Sequence, residues 1–208
     1  MAYLVLVRHG QSEWNLLGQW TGLTDVELTD DGREEARRAG RTLEDIQLDR
    51  AYTSQLKRAK NTLDEIVEHL GRQDIKRTEQ KELNERDYGE LTGKNKWQVK
   101  EEFGDDKFMK WRRSWDYPVP GGETLKDVSE RVLPFYEDHI LKNLKEGKNV
   151  IVAAHGNSLR ALIKHLDNIA DEDSHSVEIM TGEVLVYQIS EDGELLKKEI
   201  RVTNDKKV

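Results

Sequence analysis

The sequence predicts an α/β fold in which helices cover both faces of a mostly parallel central sheet. Residues 4–7 and 150–154 form apolar runs without polar interruption, which is typical of strands buried on both faces. Strand-like runs alternate with helix-periodic segments over most of the chain, as in α/β sheets. Residues 83–123 contain no strand signal, so we expect a helical, lid-like insertion over the C-terminal edge of the sheet.

The first half of the chain has the pattern of two helices between short strands. Thr29 precedes two aspartates, a combination typical of the start of a helix. Residues 50–53 have the pattern of a short strand, and the helix that opens after them ends at Gly71, since glycine is common just past helix C-termini. A further short strand is expected at residues 74–77.

The second half contains one long helix, which Thr124 caps and Pro134 interrupts. Proline lacks a backbone N–H and clashes with the preceding turn, so we expect a kink at Pro134. The other expected elements are short helices at 96–103 and 107–115, a helix at 158–166, and a closing hairpin of strands at 184–189 and 195–202.

Length and composition predict one domain, spanning residues 1–208, with a frayed tail at 204–208. A formal net charge of −8 disfavours nucleic acid as a partner, and the lack of cysteine excludes disulfides and thiolate chemistry. The longest apolar run, residues 1–7, is much shorter than a membrane span and lacks the features of a signal peptide. We therefore expect a cytoplasmic protein without membrane or nucleic-acid partners; the sequence leaves a homo-oligomer open.

Each of the two apolar strands ends in a histidine followed by a glycine. The first ends in Arg8, His9 and Gly10, and the second ends in His155 and Gly156. Because ligands bind beyond the carboxyl ends of strands in open α/β sheets, neighbouring strands would bring the two imidazoles together. A single histidine after a strand is more often a polar loop residue, but the recurrence favours a shared site.

An arginine next to a titratable imidazole suits phosphoryl transfer, in which a nitrogen attacks phosphorus while cations hold the oxygens. His9 is therefore the expected nucleophile, with its second ring nitrogen donating to the backbone to fix the tautomer. Arg58 falls in the first turn of a predicted helix, where anions bind, although a surface arginine is the alternative interpretation. The expected ligands of the equatorial phosphate oxygens are Arg8, Arg58, His155 and Asn15.

Glu85 is the candidate general acid and base, because it lies in an irregular stretch that we expect to face the site. For any single glutamate, a surface position is the commoner case. Two histidines and one carboxylate would also suit a metal site of the facial type, but the nearby arginines would repel a cation. A triphosphate or dinucleotide site is disfavoured, because the sequence carries neither a Walker-type glycine loop nor the glycine fingerprint of dinucleotide-binding folds.

Three motifs resemble those of the histidine phosphatase superfamily. They are Leu-Val-Arg-His-Gly at residues 6–10, Thr-Ser-x-Leu-x-Arg-Ala at 53–59 and Ala-His-Gly at 154–156. Together they span nearly the whole chain. Within that superfamily, four segments look like the cofactor-dependent phosphoglycerate mutases: residues 7–15, 83–96, 111–113 and 154–160.

The resemblance implies a phosphohistidine at His9 that is primed by 2,3-bisphosphoglycerate, with no metal cofactor. It also implies that the enzyme interconverts 3-phosphoglycerate and 2-phosphoglycerate in glycolysis and gluconeogenesis. The residues that it places around the substrate are Asn15, Thr21, Gly22, Arg58, Glu85, Tyr88, Lys96, Arg112, Arg113, Gly156 and Asn157.

The resemblance leaves other functions open. Residues 114–123 are a shorter segment than many of these mutases have, and their compact Pro/Gly sequence resembles phosphatase members. A shorter rim would admit water, so the alternative is a metal-independent histidine phosphatase acting on small phosphorylated metabolites. Arg112, Arg113 and Lys96 favour the mutase, because only a mutase must retain a doubly phosphorylated intermediate. A catalytically silent binding domain is a third alternative.

Overall fold

A mixed six-stranded sheet runs through residues 1–201, the part of the protein that the computed structural model describes. Its strands are β1 (Ala2–Arg8), β2 (Arg50–Thr53), β3 (Lys76–Glu79), β4 (Val150–Ala154), β5 (Val184–Ile189) and β6 (Leu195–Arg201). They lie in the order β3-β2-β4-β1-β5-β6, with β1 to β4 parallel and β5 and β6 added as an antiparallel hairpin. The mostly parallel sheet and its closing hairpin are confirmed, whereas the predicted tail at 204–208 lies outside the described residues.

The helices begin at the capping residues that the sequence carries. Thr29 caps the second helix, where its hydroxyl accepts a hydrogen bond from the N–H of Gly32 at 3.0 Å. The α-helices are α1 (Glu13–Leu16), α2 (Asp30–Arg41), α3 (Lys57–His69), α4 (Lys96–Phe103), α5 (Asp105–Arg113), α6 (Leu125–Phe135), α7 (Leu141–Lys145) and α8 (Gly156–Leu166). Among the helices of residues 1–201, none has the length and apolarity needed to cross a bilayer.

The sheet is covered by helices on both faces, as predicted. Successive side chains of a strand point to opposite faces. Leu4 and Leu6 of β1 pack in a core with the apolar faces of α6 and α8, whereas Val5 and Val7 pack in a second core with α2 and α3. Side chains of β1 therefore take part in both cores, and the middle of this strand is buried on both faces.

Pro134 interrupts the long helix, as the sequence predicts. The chain runs from α6 into a π-helical turn, Tyr136–Ile140, and continues as α7. Proline removes one helical hydrogen bond and crowds the preceding turn, and a π turn accommodates the break without ending the helix. The structure thus shows a π-helical turn directly after Pro134, and the kink itself stays a prediction.

Several element boundaries differ from the sequence prediction. β3 spans Lys76–Glu79 rather than 74–77, and α5 spans Asp105–Arg113 rather than 107–115. Gly104, with φ of +80°, lets the chain turn between α4 and α5, and the aspartates after it favour a helix start. α8 begins at Gly156 rather than at residue 158, which places Gly156 and Asn157 in the first helical turn.

The segment of residues 83–123 contributes a helical subregion with its own apolar cluster. α4 and α5 belong to it, and their buried side chains pack apart from the two cores of the sheet. The members of this cluster are Trp20, Leu91, Val99, Phe108, Trp111 and Val119. The predicted function of the segment as a lid stays a prediction.

The turn after β1 packs directly on the backbone of α2. A Cβ atom added to Gly10 would lie 2.0 Å from the carbonyl oxygen of Gly32. Because the obstacle is backbone, no side-chain movement relieves this contact. The position therefore requires glycine.

We expect Gly10→Ala to lower the free energy of unfolding by about 1–3 kcal/mol, because the added methyl group forces two backbone segments apart. Denaturant unfolding measures the difference. Gly40→Ala is the comparison variant, since its Cβ would lie 3.1 Å from Cβ and Cδ2 of His69, a longer contact than the one at Gly10, and alanine favours a helix. Equal stability of Gly10→Ala and the wild-type protein would contradict the close contact.

Candidate active site

The parallel pairing of β1 and β4 brings the two His-Gly motifs together. Arg8 lies opposite Ala154, and the N–H of His9 donates to the carbonyl of Ala154 at 3.0 Å. The ring centroids of His9 and His155 are 5.0 Å apart, with an angle of 60° between the planes. The predicted convergence of the two imidazoles at one edge of the sheet is confirmed.

The tautomer of His9 is fixed by the backbone that follows it. Its Nδ1 lies 2.7 Å from the carbonyl oxygen of Gly10. A carbonyl can only accept, so Nδ1 donates the proton and Nε2 keeps its lone pair. Burial lowers the pKa of His9, and the positive charges of Arg58 and Arg8 lower it further. The ring is therefore neutral at neutral pH, as a nucleophile must be.

Hydrogen bonds to the neighbouring helices hold the turn after His9 in place. The N–H of Gly10 donates to the hydroxyl of Thr62 at 3.1 Å, and this hydroxyl donates to the carbonyl of Arg58 at 2.7 Å. The N–H of Gln11 donates to a carboxylate oxygen of Glu35 at 2.8 Å. The turn is thus attached to both α2 and α3.

His155 is fully buried beside His9. Its Nε2 lies 2.7 Å from the hydroxyl oxygen of Ser54, and burial lowers its pKa together with the charge of Arg58. The ring lines neither of the two pockets described below. Its predicted contact with phosphate oxygens stays a prediction, and the structure shows contacts with His9 and Ser54 instead.

Arg58 reaches from the first turn of α3 into the site. Its Nη2 and Nη1 donate to the carbonyls of Gly22 and Thr24, both at 2.8 Å. Gly22 therefore contributes a backbone oxygen that orients Arg58. Burial lowers the pKa of Arg58 to about 10. Within residues 1–201 its Nε has no hydrogen-bond partner.

Two adjoining pockets open beyond the end of β1. The inner pocket is lined by Arg8, His9, Asn15, Trp20, Thr21, Arg58, Glu85, Tyr88 and Lys96. The outer pocket is lined by Arg8, Trp20, Glu85, Tyr88, Lys96, Arg112, Arg113, Gly156, Asn157, Arg160, Glu178 and Ile179. Five residues line both, so the two pockets form one continuous cleft with His9 at its inner end.

Asn15 presents its amide to the inner pocket. Its Oδ1 accepts hydrogen bonds from the N–H of Ser12 at 3.2 Å and from the Ser12 hydroxyl at 3.0 Å. Because these bonds occupy the oxygen, the amide nitrogen is the group that Asn15 can offer to a ligand. An amide N–H₂ is a donor only, so this side chain suits an anion.

Glu85 lies between the two pockets and is held by three donors. Its Oε1 accepts from the N–H of Arg86 at 2.8 Å, from the N–H of Asn157 at 3.1 Å and from Nδ2 of Asn157 at 3.0 Å. Burial raises the pKa of Glu85, but these hydrogen bonds and the charges of Arg58 and Arg8 outweigh it, so the pKa is lowered. Glu85 is therefore a carboxylate at neutral pH.

The outer pocket concentrates positive charge. Burial lowers the pKa of Lys96 to about 8, and the charges of Arg112 and Arg8 contribute. Burial and the charge of Arg113 also lower the pKa of Arg112. The Nη2 of Arg113 donates to a carboxylate oxygen of Glu178 at 2.6 Å. A bound anion would relieve this crowding of like charges.

Several residues of the cleft carry no assignment from the sequence. Arg160 follows the second His-Gly motif by one helical turn, and that spacing is the signal that could have found it. Trp20 is a tryptophan in an otherwise polar loop, which is a weaker signal. Glu178 and Ile179 lie in an irregular segment before β5, where no pattern points to them.

The candidate site lacks a set of side chains suited to binding a metal ion among the described residues. Among the residues that the structure describes, no group of three histidine, cysteine, aspartate or glutamate side chains is placed to hold one. Arginines flank Glu85 on the side of the cleft. The facial-triad alternative therefore gains no support from the geometry, and the prediction that no metal is needed stays a prediction.

Residues 4–200 match the sequence model described as Histidine phosphatase superfamily (branch 1). The chain belongs to the histidine phosphatase superfamily. The predicted resemblance to this superfamily is confirmed, and the three motifs that carried it all fall within the matched residues.

Relatives within the superfamily match the chain over nearly its full length. A protein of Methylorubrum populi is 50% identical over 95% of this chain and 94% of its own, and one of Parvibaculum lavamentivorans is 46% identical over 97% of each. Both are named 2,3-bisphosphoglycerate-dependent phosphoglycerate mutase. Because these relatives have nearly the same length, the compact segment 114–123 does not set this chain apart from them. A solved mycobacterial glucosyl-3-phosphoglycerate phosphatase shares the fold, with a TM-score of 0.83, 23% identity, and 97% of this chain and 98% of its own covered.

We expect His9 to be neutral at neutral pH, with its proton on Nδ1, because burial and two guanidinium groups lower its pKa. Nuclear magnetic resonance of protein labelled with ¹⁵N-histidine reports both the charge and the tautomer. The signals are assigned to His9 by their loss in His9→Gln. An imidazolium at pH 6.5, or a proton on Nε2, would contradict the geometry.

Proposed function

We propose that this protein is a 2,3-bisphosphoglycerate-dependent phosphoglycerate mutase, which interconverts 3-phosphoglycerate and 2-phosphoglycerate in glycolysis and gluconeogenesis. One observation carries the proposal: a neutral, oriented histidine lies at the inner end of a cleft with two cationic pockets. The inner pocket suits the phosphate under attack, and the outer pocket suits a second anionic group. The mutase names of the relatives support the same function.

The charge of the cleft matches a doubly phosphorylated ligand. In the described chain the two pockets are lined by six cations, Arg8, Arg58, Lys96, Arg112, Arg113 and Arg160, and by two carboxylates, Glu85 and Glu178. The excess is four positive charges. A bisphosphorylated glycerate carries roughly −4 to −5, since each phosphate contributes about −1.5 to −2. A substrate with one phosphate and no carboxylate would leave much of this charge unpaired.

Unpartnered donors in the cleft fit the primer, 2,3-bisphosphoglycerate. Over residues 1–201, Nε of Arg8 and Arg58 is buried and has no hydrogen-bond partner. Buried donors without partners are unfavourable, so they indicate that a ligand completes them. The residues of both pockets would hold the primer, which supplies the first phosphoryl group to His9.

His9 exchanges the phosphoryl group with the substrate. Gly10 holds the proton on Nδ1, so the lone pair of Nε2 attacks phosphorus; the N–P bond forms and the P–O bond to the glycerate breaks. Arg8 and Arg58 lie beside His9 and stabilise the charge on the transferring oxygens. The step needs positioning and fixed charge rather than a metal ion.

Glu85 moves the proton in both directions. As a carboxylate it first accepts the proton of the glycerate hydroxyl while that oxygen attacks the phosphorus on His9 and the N–P bond breaks. The glycerate then carries two phosphates and turns within the cleft. Glu85, now protonated, donates to the oxygen that leaves when the other phosphate passes to Nε2. The carboxylate of Glu85 and the phosphohistidine at His9 are both restored, and the glycerate leaves with one phosphate.

The proposal extends to the setting of the enzyme. A glycolytic reaction places it in the cytoplasm, and its ligands are small phosphorylated acids rather than nucleic acid, in keeping with the net charge of −8. The remaining alternative is a metal-independent histidine phosphatase for small phosphorylated metabolites. It differs from the mutase in having no need for the outer pocket.

We expect the protein to convert 3-phosphoglycerate to 2-phosphoglycerate, with stimulation by added 2,3-bisphosphoglycerate and no loss in EDTA. The reaction is stopped at fixed times, its 2-phosphoglycerate is then measured with enolase and excess Mg²⁺, and a phosphate assay follows hydrolysis. His9→Asn is the matched control and should lose the activity. Release of phosphate faster than formation of 2-phosphoglycerate would favour the phosphatase.

We expect Glu85→Gln to lower kcat by about 10²- to 10⁴-fold with little change in KM, because glutamine keeps the hydrogen-bond acceptor but cannot transfer the proton. Steady-state kinetics with 3-phosphoglycerate measure both constants. Glu101→Gln, at an exposed position on α4, is the control and should behave as the wild-type protein. A kcat of Glu85→Gln within about tenfold of the wild-type value would remove Glu85 from the mechanism.

A further inference from the structure

Arg160 lies on α8 and is almost fully buried, with 5% exposure. Its Nη1 donates to Oδ1 of Asn157 at 3.0 Å. Its Nη2 donates to the carbonyls of Ser174 at 2.9 Å and Arg113 at 3.2 Å, and the carbonyl of Arg112 lies 3.5 Å from Nη1. One guanidinium group thus joins α8 to the end of α5 and to the segment before β5.

The carbonyls that Arg160 contacts at α5 are those that a helix leaves without partners. Arg112 and Arg113 are the last two residues of α5, and the final carbonyls of a helix find no intrahelical donor. The helix dipole also favours a cation at this end. A guanidinium presents several donors in one plane, so it can serve two segments at once, which a lysine ammonium does less well.

Arg160 therefore connects the two functional halves of the cleft. On one side, Asn157 accepts from Arg160 and donates from Nδ2 to Glu85. On the other side, the side chains of Arg112 and Arg113 line the outer pocket while their carbonyls face Arg160. Within residues 1–201, Arg160 is the side chain that donates to these two carbonyls.

We propose that Arg160 is a positioning residue that fixes Arg112 and Arg113 relative to Glu85, and thereby sets the affinity for the second anionic group of the substrate. This inference rests on the proposed function, which supplies that second group. If Arg160 only stabilised the fold, its loss would lower the affinity for anions in the inner and outer pockets alike. Loss of a positioning residue lowers the affinity in the outer pocket selectively.

The test compares Arg160→Lys and Arg160→Met with the wild-type enzyme. Lysine keeps the positive charge but can donate to fewer carbonyls at once than arginine. Methionine removes the charge and keeps an apolar side chain. We expect both to raise KM for 3-phosphoglycerate by about 10- to 100-fold, because displacing a binding group by about 1 Å has effects of that order. We expect kcat to change less than KM, since Asn157 keeps its own hydrogen bonds to Glu85 and the other lost contacts hold the outer pocket. Inorganic phosphate, a single anion suited to the inner pocket, should bind with wild-type affinity in titration calorimetry.

Arg131→Lys is the matched control, because Arg131 also donates to backbone carbonyls but on the Glu85 side of the cleft. It contacts the carbonyls of Glu82 at 2.6 Å, Asn84 at 3.1 Å and Glu85 at 3.1 Å. We expect the opposite result for this variant, a lower kcat with little change in KM. The same pattern of losses in the Arg160 and Arg131 variants would overturn the assignment.

Amide hydrogen exchange of the free proteins separates this inference from the proposed function. The Arg160 variants should exchange faster at residues 111–114, around the last turn of α5, and at the wild-type rate at residues 9–12. If the wild-type protein does not convert 3-phosphoglycerate, the proposed function fails. The exchange experiment then still tests whether Arg160 holds the end of α5 in place. Unchanged exchange at 111–114, or losses of kcat and phosphate affinity as large as the change in KM, would overturn the positioning role.

Discussion

The parallel pairing of β1 with β4 is the constraint on which the site depends. Because Arg8 lies opposite Ala154, both strands end at the same level, and the N–H of His9 continues the ladder by one further bond. The two imidazoles must then meet, and their 5.0 Å separation follows from strand spacing and register. The turn after His9 is fixed in the same way, because Gly10 packs against the backbone of α2. Strand register thus determines the position of the proposed nucleophile, and the carbonyl of Gly10 in the turn determines its tautomer.

Buried positive charge is the second determinant, and it opposes stability. Burial lowers the pKa of Arg58 and Arg160 to about 10 and that of Lys96 to about 8, because little water reaches these cations. An uncompensated buried charge is costly, but a site that already holds its charges needs little reorganisation when an anion enters. A chain with a net charge of −8 keeps this cationic cleft by placing the arginines where backbone carbonyls hold them. Anion binding recovers part of the free energy that folding gives up there.

The sequence predicts most of the fold and the centre of the site, because both depend on local signals. The short strand pattern of residues 50–53 coincides with β2, Arg50–Thr53, and the two apolar strands that end in His-Gly locate His9 and His155. The rest depends on contacts between distant segments. The hydrogen bond of His155 to Ser54 and the bridge from Arg160 to the end of α5 require knowing how loops lie over the sheet. No periodicity encodes such contacts.

The hydrogen bond from Nδ1 to the carbonyl of Gly10 leaves one nitrogen of His9 able to carry phosphate. The most direct measurement is the site of phosphorylation in enzyme primed with 2,3-bisphosphoglycerate and quenched in alkaline denaturant, where phosphohistidine survives. Peptide mapping locates the residue, and phosphorus magnetic resonance distinguishes the two isomers. Phosphate on Nε2 of His9 is the expected result. Phosphate on Nδ1 of His9, or on His155, would contradict it.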